Sequence, residues 1–252
     1  MRLVTWNVLG MRGYPRADGI GLSRQPLPRV IDGIAALLRG LQPDAVALQE
    51  APPAETVAAL AAALGWQHAW FSPGTGPLAD FPWGFPGAIL ANGRIAAARD
   101  RRADTPHDGR LFHRHWGEAD LELAGGRLAL TTTHLCCAWG GLDREDERQG
   151  EVALLGPARS GAVMAADWNA QPGGATCAAL AAAGWRDAWD EGGEGLGTTT
   201  VVRADRGGSR IDAFRLGAGL RVARIAVVPQ DGIALGDEGW LSDHQPVVLD
   251  LR

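Results

Sequence analysis

Short runs that are apolar or β-branched throughout set the frame for this chain. Leu3-Val4-Thr5-Trp6, Ala45-Val46-Ala47-Leu48, Leu128-Ala129-Leu130-Thr131-Thr132-Thr133 and Ala162-Val163-Met164-Ala165-Ala166 read as buried strands. A polar residue stands at the edge of each: Asn7, Glu50, His134, and Asp167 with Asn169. Asp243 and His244 stand likewise before a last Val-rich run. Strands of this kind laid side by side bring their edge residues into one crevice. The collected groups are carboxylates, amides and imidazoles without a hydroxyl or thiol nucleophile, a set that suits a divalent cation and a phosphate.

Between these runs the pattern alternates. Residues 10–28 are rich in Gly, Pro and Arg and read as a loop beside the site. Val30, Ile31, Ile34, Leu37, Leu38 and Leu41 recur at helical spacing up to Pro43. A second helix is expected over 54–64, preceded by Pro52-Pro53 and stopped by Gly65. Residues 72–87 hold four prolines with Phe81, Trp83 and Phe85, which makes them either a loop folded onto the core or a lip facing substrate. Strands are expected over 88–90 and 120–123, the latter in a hairpin with 128–133. The charged run from Arg144 to Arg148 reads as the solvated first turn of a helix, and 175–183 as a short Ala-rich helix. Three final strands are expected near 210–216, 222–228 and 246–251. Strand and helix alternate first and strands dominate later, which gives an α/β protein with mixed sheets and no internal repeat.

The 252 residues, 46% hydrophobic, suffice for one large domain, and no linker-like segment divides residues 1–252. None of the 24 basic residues is a lysine. That excludes a Walker A loop, a pyridoxal Schiff base and any other lysine nucleophile. A formal net charge of -5 argues against wrapping long nucleic acid, whose affinity for proteins comes largely from cations. Cys136, Cys137 and Cys177 form neither a disulfide framework nor a Cys-x-x-Cys metal motif, which fits a reducing compartment. With neither a signal-like segment nor an apolar membrane-spanning stretch in the sequence, the expected location is the cytoplasm, and no partner protein is indicated.

The edge residues carry specific chemistry. Asn7 and Glu50 are oxygen donors suited to a hard cation such as Mg2+, with Mn2+ as a substitute. Asp167 and Asn169 are one residue apart, so in an extended segment both face one side while Trp168 points inward. Asp167 would orient or deprotonate a water, and Asn169 would donate to a phosphoryl oxygen. In Ser242-Asp243-His244-Gln245-Pro246 an imidazole is available for tuning, and Asp212 is the candidate carboxylate to orient it.

Thr5-Trp6-Asn7, Leu48-Gln49-Glu50, Thr133-His134-Leu135, Asp167-Trp168-Asn169, Arg210-Ile211-Asp212 and Ser242-Asp243-His244-Gln245-Pro246 together resemble, in order, the motifs of the endonuclease/exonuclease/phosphatase superfamily with its DNase I-like fold. Each motif is weak alone; the ordered set covers nearly the whole chain. The resemblance implies a four-layer α/β sandwich of two packed mixed sheets flanked by helices, and metal-assisted hydrolysis of a phosphoester. It also implies that Asn7 and Glu50 hold Mg2+, with Asp243 contacting or supporting it. Asp167 would then position the attacking water, His134, Asn169 and His244 would surround the phosphoryl oxygens, and Asp212 would orient His244.

Ala166-Asp167-Trp168-Asn169 replaces the usual Gly-Asp-Phe-Asn, and Ala91-Asn92 stands where Ser-Arg is common, so no phosphate-binding arginine carries over there. The expected function is a Mg2+-dependent phosphodiesterase or phosphatase acting on a small or flexible substrate. A DNA-repair or degradative nuclease is the alternative within enzymes, and a non-catalytic binding module on the same fold lies outside them.

Overall fold

The computed structural model describes residues 1–15, 22–105, 111–137, 144–195, 197–202 and 207–252. Six residues of the expected 10–28 loop therefore lie outside the described residues. The strands are β1 (Arg2–Asn7), β2 (Tyr14–Pro15), β3 (Ala45–Gln49), β4 (Gln67–Phe71), β5 (Gly87–Ala91), β6 (Gly93–Asp100), β7 (Trp116–Leu123) and β8 (Gly126–His134). They continue with β9 (Ala162–Asp167), β10 (Arg186–Asp187), β11 (Gly193–Glu194), β12 (Asp212–Leu216), β13 (Val222–Val227), β14 (Gly239–Trp240) and β15 (Val247–Leu251). The main helices are α1 (Pro28–Leu41), α2 (Ala54–Leu64), α3 (Glu145–Leu155) and α4 (Ala175–Ala182).

Two large mixed sheets result. One runs β11-β13-β15-β1-β3-β5-β4 and the other β10-β12-β9-β8-β7-β6. Within them β1 and β3 are parallel, as are β8 and β9, while β12 runs antiparallel to β9. The chain thus brings the C-terminal ends of four strands and the N-terminal end of β12 to one edge.

Period-two alternation splits each strand between two cores. Leu3, Ala47, Ile89, Leu130, Val163, Phe214 and Leu249 fill the space between the sheets. Val4, Trp6, Val46 and Leu48 point the other way, onto Val30, Ile34 and Leu38 of α1 and Val57 and Leu60 of α2. On the second sheet Met164, Ala166 and Trp168 pack with Val152 of α3 and Leu180 of α4. Three apolar layers between helix, sheet, sheet and helix make the four-layer sandwich expected from the sequence.

Local chemistry explains the helix limits. Pro28 starts α1, where its missing N–H costs nothing, and Gln42 closes it in the left-handed region with its N–H on Leu38 O. Gly65 (φ 73°) does the same for α2.

Two expectations are revised. The charged start of α3 is not simply solvated: Arg148 is buried, as is Glu151 one turn on. The hairpin is also longer than 120–123 with 128–133 implied, because β7 begins at Trp116, paired with Thr133.

Candidate active site

The inter-sheet face of β1 reads Leu3, Thr5, Asn7, and that of β8 reads Leu128, Leu130, Thr132, His134. Along both strands the side chains change from apolar to hydroxyl to amide or imidazole toward the shared edge. Gln49 marks the transition: its Nε2 donates to Thr5 Oγ1 (3.0 Å), Thr132 Oγ1 (3.1 Å) and Ala165 O (3.3 Å), joining the sheets with a buried polar contact. One step further out lies the expected cluster.

Asp167, 1% exposed, is its centre. Its Oδ2 accepts from Asn7 Nδ2 (3.0 Å) and His134 Nε2 (3.1 Å) and lies 3.9 Å from His244 Nε2. Its Oδ1 accepts the Asn169 backbone N–H (3.0 Å). Burial alone would raise the pKa of this carboxyl, but the His134 and His244 imidazoles and the Arg114 guanidinium outweigh it, holding Asp167 well below the usual carboxylate range.

Sequence reasoning missed Arg114, which precedes β7 and is almost wholly buried. Its Nη1 donates to Glu50 Oε1 (2.7 Å) and to His134 Nδ1 (2.9 Å), its Nη2 donates to Cys137 Sγ (3.0 Å), and its guanidinium lies 4.2 Å from the Phe85 ring centroid. Because a guanidinium only donates, His134 Nδ1 must accept. The His134 proton therefore sits on Nε2, aimed at Asp167. Burial and the Arg114 charge lower the His134 pKa, keeping this tautomer neutral. The available signal was the polar stretch His113-Arg114-His115 immediately before a strand, in a chain whose basic residues are all Arg.

Glu50 leaves β3 in the left-handed region (φ 46°), a costly conformation for a side-chain-bearing residue that turns its carboxylate out of the strand direction. Burial opposes its ionisation, but the Arg114 guanidinium prevails and the pKa is lowered. Its Oε2 is buried and has no hydrogen-bond partner among the described residues. Asn7 Oδ1 accepts the Leu9 N–H (3.1 Å), and Asp243, partly buried, has its pKa raised by burial. An orphaned carboxylate oxygen at Glu50, an amide oxygen at Asn7 and a carboxylate at Asp243 form an all-oxygen donor set whose chemistry fits a hard divalent cation completed by water and substrate oxygens. Asn7, Glu50 and Asp243 are thus the residues able to hold it.

A different trio, Asp167, Asp212 and His244, has ligand atoms within 4.8 Å of one another. His244 Nδ1, however, is already bonded to Asp212 Oδ2 at 2.8 Å, and both side chains are buried. Within that trio His244 and Asp212 are joined by a hydrogen bond, while Asp167 stands 3.9 Å from His244 Nε2. Burial would lower the His244 pKa, but Asp212, with Asp243 and Asp167, raises it well above the ordinary value, so imidazolium is the resting form. Trp6 Nε1 donates to His244 O (2.9 Å) and Ser242 Oγ to Asn7 O (2.7 Å), fixing this segment against β1.

These assignments predict the behaviour of Asp212→Asn. In metal-free protein, nitrogen NMR should find His244 charged at neutral pH in the native chain. Without the Asp212 carboxylate, burial is opposed only by Asp243 and Asp167, and the His244 titration should fall from its native position. An unchanged His244 titration would show that Asp212 does not set it.

One local expectation is corrected. Asn169 is not extended (φ 48°), because the strand ends at Asp167, and its Nδ2 donates to Leu135 O at 2.9 Å. Trp168 does point inward, with Nε1 on Ala213 O (3.0 Å). In the 72–87 loop, Phe85 lies under Arg114 and against Phe81, so its ring is not free to stack on a ligand. Trp83 is half-buried against Gly10 (φ 63°), where an added Cβ would come within 2.7 Å of the indole.

Residues 4–244 match the model of the Endonuclease/Exonuclease/phosphatase family. The chain belongs to that family. Its members are phosphoesterase and nuclease hydrolases that generally use a divalent metal. Among similar solved structures is D. rerio TDP2 complexed with a single-strand DNA product (TM-score 0.70, 20% identity), with 100% of this chain and 98% of that one covered. Another is the mannosyl-6-phosphatase of Bacteroides thetaiotaomicron VPI-5482 (TM-score 0.70, 15% identity, 100% and 99% covered). A third, from Enterococcus faecalis V583, is described as functionally unknown (TM-score 0.73, 14% identity, 100% and 99% covered). At these identities the likeness establishes the DNase I-like fold. No curated protein matches the chain. No helix among the described residues is long and apolar enough to cross a membrane.

Proposed function

We propose that this protein is a Mg2+-dependent phosphoesterase that hydrolyses a compact phosphoester by in-line attack of water. The observation that carries the reading is the ionised Asp167 carboxylate, held where Asn7, His134 and His244 converge, with Glu50 and Arg114 alongside. Glu50, Asn7 and Asp243 would hold Mg2+, or Mn2+ in its place, which when bound neutralises charge on the phosphoryl oxygens. Asp167 orients the attacking water and accepts its proton. His244, kept as imidazolium by Asp212, donates to a phosphoryl oxygen, as does the second amide hydrogen of Asn169. Neutral His134 holds Asp167 in place through Nε2–H and presents no acceptor to compete for the water's proton. Phosphoryl transfer asks mainly for such positioning and charge neutralisation.

A compact substrate is supported by the net charge of -5 and by the absence of lysine. It is also supported by a cavity of about 210 Å3 beside Arg114, lined by Thr75, Leu78, Phe85, His113, Cys137 and Arg144. That space suits the part of a small substrate that leaves or remains beyond the phosphate. The three cysteines are free, in keeping with a cytoplasmic location.

Purified protein should hydrolyse bis-p-nitrophenyl phosphate or p-nitrophenyl phosphate with Mg2+ or Mn2+, lose activity in EDTA, and act more slowly on an abasic-site duplex. Metal-independent hydrolysis would remove the cation from the reading. Faster duplex cleavage with steeply salt-dependent binding would favour a nuclease instead.

A further inference from the structure

We infer that Glu151, assisted by Arg148, is a positioning residue that sets Arg114 and the segment after His134 from within α3. Glu151 is fully buried in the layer where α3 meets the second sheet, beside Val152 and Phe112, a place otherwise filled by apolar side chains. Its two oxygens go to two different loops: Oε1 accepts the Phe112 N–H (2.7 Å) and Oε2 the Cys136 N–H (2.9 Å). Arg148 donates from Nη1 to Cys136 O (3.2 Å) and is itself held by Glu145 Oε2 at 2.7 Å. Glu145 Oε1 in turn accepts from Thr176 Oγ1 of α4 (2.7 Å). Both faces of the Cys136 backbone are therefore held by charged groups of one helix.

The other loop gives an independent observation. Phe112 is buried with φ 49°, a backbone state that a bulky residue keeps only when its surroundings impose it. Phe112 lies two residues before Arg114, and Cys136 two residues after His134. Cys137, the next residue, receives Arg114 Nη2. A single carboxylate thus fixes the two segments whose side chains meet at Glu50 and Asp167. Burial pushes the Glu151 pKa up to about 7 despite its two N–H donors and the neighbouring Arg114 and Arg148.

The test is Glu151→Gln, which keeps the shape and one acceptor oxygen but turns an amide NH2 toward one of the two N–H groups. The inference builds on the proposed hydrolysis, so one readout is independent of activity: the rate at which iodoacetamide labels Cys137, with buried Cys177 as internal control. Released loops should raise Cys137 labelling severalfold and leave Cys177 unchanged, with the melting temperature at pH 8 lowered by only a small amount. In the active protein kcat should fall on the order of tenfold or more, with little change in KM. Native Cys137 labelling with native kcat would overturn the inference. So would unmasking of both cysteines with a large drop in melting temperature, which marks a structural role only. If the native chain hydrolyses no phosphoester, the functional reading fails while the labelling result still decides this one.

Discussion

Asp167→Asn and His244→Ala are each expected to lower kcat by on the order of a hundredfold or more, and together by less than the product of the two. In Asp167→Asn the volume is unchanged but the electrostatics reverse. Asn7 Nδ2 and His134 Nε2 both donate to Asp167 Oδ2, and the Asn169 N–H donates to Oδ1. An amide can serve only one of these oxygen positions and places its own donors against the others. His134 cannot adapt by moving its proton to Nδ1, because the Arg114 guanidinium already donates there. Loss of the carboxylate also removes part of what keeps His244 charged, so the two residues act as one unit. Steady-state kinetics on a p-nitrophenyl ester, with circular dichroism to confirm folding, reads the result. Fully multiplicative losses would place the two side chains on separate steps and sink the shared-phosphate mechanism.

How far the sequence revealed this site depended on whether the responsible force was local. Strands β1, β3 and β9 are buried on both faces, so their apolar runs report burial directly. Helix α1 announces itself by its periodic stripe and by Pro28. Asn7, Glu50, His134, Asp167, Asp212 and His244 could be named because each terminates or opens such a strand. By contrast β6, Gly-Arg-Ile-Ala-Ala-Ala-Arg-Asp, is a largely exposed sheet edge with neither alternation nor strong strand formers, and its structure comes from its register with β7. The bend at Asn169 was invisible for a related reason, since the backbone departs from the strand at the residue where the extended argument was applied. Arg114 and Glu151 were hidden because their meaning lies in partners 64 and 39 residues away. A charged residue in sequence looks solvated until its packing is known, and Arg148 is buried although its counterion Glu145 lies only three residues away.

The buried Glu50–Arg114 pair offers the second large effect, because removing either partner should move metal affinity in opposite directions. Glu50→Gln takes away a carboxylate whose buried Oε2 has no hydrogen-bond partner among the described residues, so Mn2+ affinity should fall with turnover, by on the order of a hundredfold in kcat. Arg114→Ala removes a positive charge bonded to that carboxylate at 2.7 Å, which opposes a divalent cation, so Mn2+ binding should tighten. Turnover should still collapse by about 10² or more, since Arg114 no longer holds the Glu50 carboxylate and the His134 tautomer in place. Stability separates the variants further. Without Arg114, buried Glu50 loses the one guanidinium bonded to it at 2.7 Å, a change that costs about 3–5 kcal/mol in metal-free protein at neutral pH. In the native chain the lowered Glu50 pKa contributes stability above its unfolded value and loses it as pH falls through the folded one. In Arg114→Ala burial dominates instead and the pKa rises, so protonation relieves the penalty and the gap from the native chain should narrow toward pH 5. Urea titrations at pH 7.5 and pH 5 with Mn2+ calorimetry decide the matter. If Mn2+ binding weakens in Arg114→Ala, the arginine supports the cation rather than opposing it, and Glu50 is not the ligand assigned here.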